Sequence, residues 1–198
     1  MLDTDDLSAL IGSRICHDLI SPLGAICNGV ELLSMSGITA APEIALIAES
    51  IESANARVRF FRIAFGAANT SSQIGASEIK SILSDMFRGG RIRIDWAVRA
   101  DLPRPDVKLA FLVIQCLESV LPFGGAIHVS QTGDRWHLSA TSDRMKVEPD
   151  LWDIVAGRKS GAGISPADVH FALVPETARR IGKQVTPIIR DGSVTVSF

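Results

Sequence analysis

Between Leu7 and about Ser36, apolar side chains recur at Leu7, Ile11, Ile15, Leu19, Leu23, Ile26, Val30 and Leu33, in steps of three or four. That spacing puts them on one side of a single long helix. Asp3, Asp5 and Asp6 place negative charge at its positive end, and Gly37 ends it. Pro22 lies inside the pattern, where it removes one backbone hydrogen bond and should kink the helix. Pro42 then opens a second helix, in the first-turn position that proline tolerates. Its seam is Ile44, Ile47, Ile51, Ala54, Val58, Phe61 and Phe65. Two long helices joined by a few residues form an antiparallel hairpin, and a lone hairpin has too little core to stand by itself. Two copies pairing as a four-helix bundle would bury both seams, so the chain is expected to be a homodimer.

The segment from Gly66 to Gly75, GAANTSSQIG, is small and polar and reads as a linker. It divides a hairpin domain over residues 1–68 from a second domain over residues 76–198. The second domain reads as a helix near Ser77–Arg88, a strand near Ile92–Val98 and a helix from Pro105 to Leu121. A hairpin follows, Ala126–Ser130 and Trp136–Thr141, turning at Thr132-Gly133-Asp134. Helices near Pro149–Val155 and Pro166–Ile181 precede a last hairpin, Val185–Ile189 and Ser193–Phe198. The fold class is α+β, with helices on one face of a mixed or antiparallel sheet in the second domain.

Composition excludes several function classes. A net charge of -2 over 198 residues argues against a nucleic-acid surface, although Arg57, Arg59 and Arg62 could form a local basic strip. The longest apolar stretch, Leu109 to Leu117, is interrupted by Gln115 and falls far short of the roughly 20 residues that cross a bilayer. Cys16, Cys27 and Cys116 have neither the pairing nor the spacing of disulfides or structural zinc. With no leader pattern in MLDTDDLS, a cytoplasmic protein is expected.

At about 100° per residue, His17 falls opposite the centre of the first helix's seam, together with Ser13, Ile20, Ser21 and Gly24. A histidine among apolar residues is more often a core side chain, but this phase turns the ring outward. A neutral imidazole near pH 7 is a good nucleophile, and small neighbours would let another protein approach it. Asp18 could hold the tautomer that leaves the far nitrogen free, although a lone helix carboxylate is usually just solvated.

The stretch SRICHDLISPLGAICNGVELL, Ser13 to Leu33, resembles the phosphoacceptor helix of two-component histidine kinases. The specific marks are His17-Asp18-Leu19, Pro22 five residues after the histidine, and Leu23 to Ile26. It is most similar to the ChpT-type histidine phosphotransferases, in which HDLISP is followed by GAI. The resemblance implies that His17 carries a phosphoryl group, with Asp18 assisting. It also implies that Ser13, Arg14, Ile20, Ser21 and Gly24 meet a partner. The expected partners are receiver domains of a hybrid histidine kinase and of response regulators, and Mg²⁺ would sit in the receiver, so this chain needs no cofactor.

The second domain's order of elements resembles the ATP-binding domain of the same kinases, but the nucleotide motifs are missing. The helix that should carry asparagines offers Gln115 and Ser119, and the last asparagine of the chain is Asn69. Ser142-Asp143-Arg144-Met145-Lys146 stands where an Asp-x-Gly-x-Gly loop is expected. Gly161-Ala162-Gly163 is a lone GxG, most simply a glycine turn before a helix. Arg144, Lys146, Arg158 and Lys159 are then candidates for partner docking, while His128, His137 and His170 are most simply structural. Two other readings stay open: an ATP-dependent histidine kinase with an atypical site, and a non-catalytic dimeric adaptor.

Overall fold

The computed structural model describes residues 23–24, 26–35, 42–68, 71–161 and 164–198. They divide into two compact units. One holds the helical hairpin up to Ala67 together with Ser81–Met86, and the other holds Ala68–Lys80 and Phe87–Phe198.

In the first unit, residues 23–24 and 26–35 are helical (α1), and α2 runs Pro42–Ala64 with Pro42 at its start and Arg62 in its last turn. The expected helix from Leu7 lies outside the described residues except for this part. Asn55 of α2 donates its side-chain amide to Cys27 Sγ of α1 at 3.5 Å. Of the seam expected on α2, Ile51 and Val58 are buried and Ala54, Phe61 and Phe65 are half-buried. A second stripe, Ala56, Phe60 and Ile63, is buried too, so this half of the helix is covered on more than the seam. Nearer the interhelical turn the apolar residues are open. Ile26 is 49% exposed, Leu33 47% and Ile47 48%, and Leu32 and Met35 are more exposed still. Arg59 Nη1 meets Asp85 Oδ2 at 2.9 Å, which ties α2 to the Ser81–Met86 segment.

The second unit is a five-stranded sheet with helices against one face. Its strands are β2 (Ile92–Trp96), β4 (Gly125–Thr132), β5 (Arg135–Thr141), β6 (Thr186–Arg190) and β7 (Ser193–Ser197). They lie in the order β2-β4-β5-β7-β6, with β2 parallel to β4 and every other pair antiparallel. The sheet is therefore mixed. The helices are α4 (Arg104–Ser119), α5 (Pro149–Val155) and α6 (Val169–Arg180), while α3 (Ala76–Phe87) is divided, its Ser81–Met86 falling in the first unit. α4 packs against α6 and against β5, and its apolar run Leu109–Ile114 is buried throughout, which is why the sequence shows no polar face there.

The strands alternate as a half-covered sheet must. Trp96, Ile127, Val129, Trp136, Leu138, Ala140, Val194 and Val196 are buried. The intervening residues point to the open face. Register places Asp95, His128, Ser139, Thr195 and Ile188 in one row across all five strands. The core is aromatic: Trp136 stacks on Phe198 at 5.7 Å and lies 5.5 Å from Trp96.

Three expectations need correction. The Gly66–Gly75 linker contains β1 (Gln73–Ile74), which pairs with β3 (Leu102–Pro103), and Ile74 is buried. A two-residue ladder is too short to leave alternation in the sequence. The first hairpin turns on two residues, Gly133-Asp134, with Thr132 still paired to Arg135. Gly133 has φ +58°, as tight two-residue hairpin turns demand. The helix expected from Pro166 begins as a 3₁₀ turn, Pro166–Asp168, and becomes α-helical at Val169.

Candidate functional site

The sequence puts the chemistry on the outer face of the first helix. His17, Asp18, Ser13, Arg14, Ile20 and Ser21 lie outside the described residues. Gly24 lies inside them, helical and half-buried. A Cβ added to Gly24 would meet nothing within 4 Å. Packing within the chain therefore does not require glycine here, and the helical backbone does not require it either. The same face continues one and two turns on through Asn28 and Glu31, both exposed. Those two positions were not singled out from the sequence, although the four- and seven-residue spacing from Gly24 points to them.

In the second unit, the residues that the sequence resemblance sets against nucleotide motifs are placed as follows. Gln115 lies mid-way along α4, half-buried, and its Oε1 is buried without a partner among the described residues. Ser119 turns its hydroxyl back onto the carbonyl of Cys116 at 2.8 Å, so it is spent on the end of its own helix. Asp143 is exposed at the end of β5. It lines an open depression of about 710 Å³ together with Arg93, Phe123, Ser142, Asp191 and Gly192. Ser142 donates to the carbonyl of Gly124 at 2.9 Å, and Gly124 and Gly125 line the same depression. A Cβ on Gly161 would come within 2.7 Å of Ala172 Cβ on α6. Close helix packing thus accounts for Gly161; Ala162 and Gly163 lie outside the described residues.

The four cations offered for docking each have a contact within the chain. The Arg144 guanidinium lies 4.3 Å from the centre of the exposed Phe123 ring. Lys146 meets Glu148 at 2.8 Å, Arg158 meets Asp153 at 2.6 Å and Lys159 meets Asp150 at 2.8 Å. Exposed pairs of this kind contribute about 0–1 kcal/mol, so each could exchange its partner at little cost.

The remaining histidines differ from one another. His170, near the start of α6, is buried against Phe171 with ring centroids 4.7 Å apart. Burial lowers its pKa to about 4, against a small raising effect of Asp168. The ring is therefore neutral at pH 7, with Nε2 buried and without a partner among the described residues. His137 is half-buried on β5. His128, on the open face of β4, has Nδ1 2.8 Å from Asp95 Oδ2. The sequence alternation puts both residues on a strand face, but the parallel pairing of β2 with β4 that joins them is a tertiary fact.

Comparison with known proteins follows the same lines. The model of the histidine phosphotransferase C-terminal domain family matches residues 76–192. The protein phosphotransferase ChpT of Brucella abortus (strain 2308) is 36% identical over 171 residues, covering 83% of this chain and 80% of that protein. A bacterial phosphotransferase of known structure, solved at 1.7 Å, superposes with a TM-score of 0.70 at 29% identity, over all of this chain and 97% of the other.

Proposed function

The chain belongs to the histidine phosphotransferase family and is a phosphotransferase of a phosphorelay, and we propose that His17 is the residue that carries the phosphoryl group. In this reading a receiver domain docks on the outer face of the first helix. The His17 imidazole attacks the phosphorus of the receiver's aspartyl phosphate, an N–P bond forms and the acyl phosphate bond breaks. A second receiver then takes the group onto its own aspartate. Asp18 holds the imidazole tautomer, and Ser13, Arg14, Ile20, Ser21 and Gly24 meet the receiver. Catalysis is then mostly positioning and charge stabilisation.

The observation that carries the placement is Gly24. It stands seven residues after His17, on the same face by helical phase, and has open space where a side chain would go. A glycine that neither packing nor backbone calls for suits a surface that another protein must approach closely.

Three finer features belong to the same reading. The hairpin is completed by a second copy, because seam residues Ile26, Leu33 and Ile47 remain about half exposed in the single chain. Four helices would cover them. Neither nucleotide nor metal is needed by this chain, since Gln115 and Ser119 stand where asparagines would be expected, no asparagine follows Asn69, and Mg²⁺ belongs to the receiver. The protein works in the cytoplasm, where response regulators reside; no helix among the described residues is long and apolar enough to cross a membrane.

The test is to mix the purified chain with a phosphorylated receiver, with and without ATP, and follow acid-labile label. We expect transfer to the wild type, none to His17→Ala, and no labelling from ATP alone. Gly24→Arg should block transfer while a small histidine-reactive reagent still modifies His17. Undiminished transfer to His17→Ala would overturn the assignment, and labelling by ATP alone would make the chain a kinase.

A further inference from the structure

On the open face of the sheet, His128 and Asp95 are direct register partners on β4 and β2. Nδ1 of the ring is 2.8 Å from Asp95 Oδ2. An ionised carboxylate can only accept, so the proton of the neutral imidazole sits on Nδ1. Nε2 is then left with a bare lone pair, the form in which imidazole is a nucleophile. The His128 side chain is 50% exposed. Its other direct neighbours along the row and along β4 are short, with the longer Arg93 and His137 standing on the diagonals. Ser139 lies opposite it on β5 and Thr195 beyond, while Ala126 and Ser130 flank it along β4. Nothing longer than three side-chain heavy atoms stands beside the ring at those positions, and several hydroxyls are placed to solvate an anion. Arg93, exposed two residues before Asp95, adds positive charge to the same face.

We propose that His128 is a second phosphoryl-accepting histidine, charged by a small acyl phosphate rather than by a receiver. The inference is independent of the reading of His17. The Nε2 lone pair attacks phosphorus, the N–P bond forms, and the P–O bond to the acyl group breaks. A carboxylate leaves with that electron pair. The Nδ1 proton stays where it is, and the ring cation that develops is neutralised by Asp95, so no proton need be lost. A half-exposed ring low on a flat sheet is open to a small donor, whereas a receiver must bring a recessed aspartate onto a projecting side chain.

The experiment uses the full chain with acetyl phosphate, and maps the modification by mass spectrometry at neutral to alkaline pH, where N–P bonds survive. His17→Ala should retain label on the peptide containing His128, and His17→Ala/His128→Ala should lose it. Asp95→Asn should slow the labelling of His128 about tenfold, as loss of an orienting carboxylate does elsewhere. Circular dichroism should show all three variants folded. No label on His17→Ala, or label that survives in the double variant, overturns the proposal. Label passed to His128 from a phosphorylated receiver overturns the choice of donor. Failure of receivers to label His17 in the wild type would sink the earlier reading and leave this one standing.

Discussion

The two units of this protein bury their apolar residues by different means. The sheet unit closes its own core: Trp136, Leu138, Val129 and the whole run Leu109–Ile114 are sealed within one chain. The hairpin leaves Ile26, Leu32, Leu33, Met35 and Ile47 open. The difference separates a unit covered by its own residues from one that leaves an apolar stripe in the open. The sheet unit can cover its apolar residues by itself, because aromatic and aliphatic side chains from its helices and strands meet across one face of the sheet. A two-helix element cannot, because each helix offers one stripe and needs more than one neighbour to cover it.

Trp136→Ala attacks the self-sufficient side of that contrast. It removes a fully buried indole that stacks on Phe198 and abuts Trp96. We expect a loss of about 3–5 kcal/mol in urea unfolding, read from the fluorescence of Trp96 and Trp152. A loss below about 1 kcal/mol would mean that the sheet core is not what holds this unit together.

The sheet unit should also be the acid-sensitive one. His170 has a folded pKa of about 4 against an ordinary value of 6.5. Between these values the unfolded chain binds the proton more readily, so stability is complete above about pH 6.5 and declines as pH falls toward 4. The loss is at most about 3 kcal/mol by the conversion of 1.36 kcal/mol per pKa unit. His170→Gln should flatten the pH dependence of the urea midpoint in that window. An unchanged slope would assign the acid sensitivity elsewhere.

Ile47→Asp tests the dependent side. A carboxylate in a bundle interface should cost at least about 2 kcal/mol of association, a rise of about thirtyfold in Kd. If the proposed dimer forms, light scattering at graded concentrations should show this variant as monomer where the wild type associates, with the sheet unit's urea midpoint unmoved. Ile47 discriminates better than Ile51, which is buried within the single chain and would damage the hairpin itself. A dimer of wild-type affinity would mean that the exposed stripe is not an interface.

Much of the fold was legible because its signals are local. The step of three and four from Ile44 to Phe65 marked α2, Pro149 marked the start of α5, and the strand pair Val185–Ile189 and Ser193–Phe198 marked the β6–β7 hairpin. What escaped had no local period. β1 and β3 are two residues each and exist only by pairing across 27 intervening residues. The stripe Ala56, Phe60 and Ile63 on α2 was overlooked because small alanines dilute it. On the site, Gly24 was marked by its spacing from His17, but whether its glycine serves packing could be judged only from the space around it.

By itself, the sequence determined the helical phase that sets His17 opposite the apolar seam, and the absence of asparagine beyond Asn69. Each is a property of residue order or residue identity. Tertiary structure alone decided that Asp95 meets His128, that Gly161 is pressed against Ala172, and that Ile26, Leu33 and Ile47 stay open while Ile51 closes. The physical reason is the same in each case. Period and propensity act between residues a few positions apart, whereas strand order, register and burial come from segments that meet only once the chain has folded.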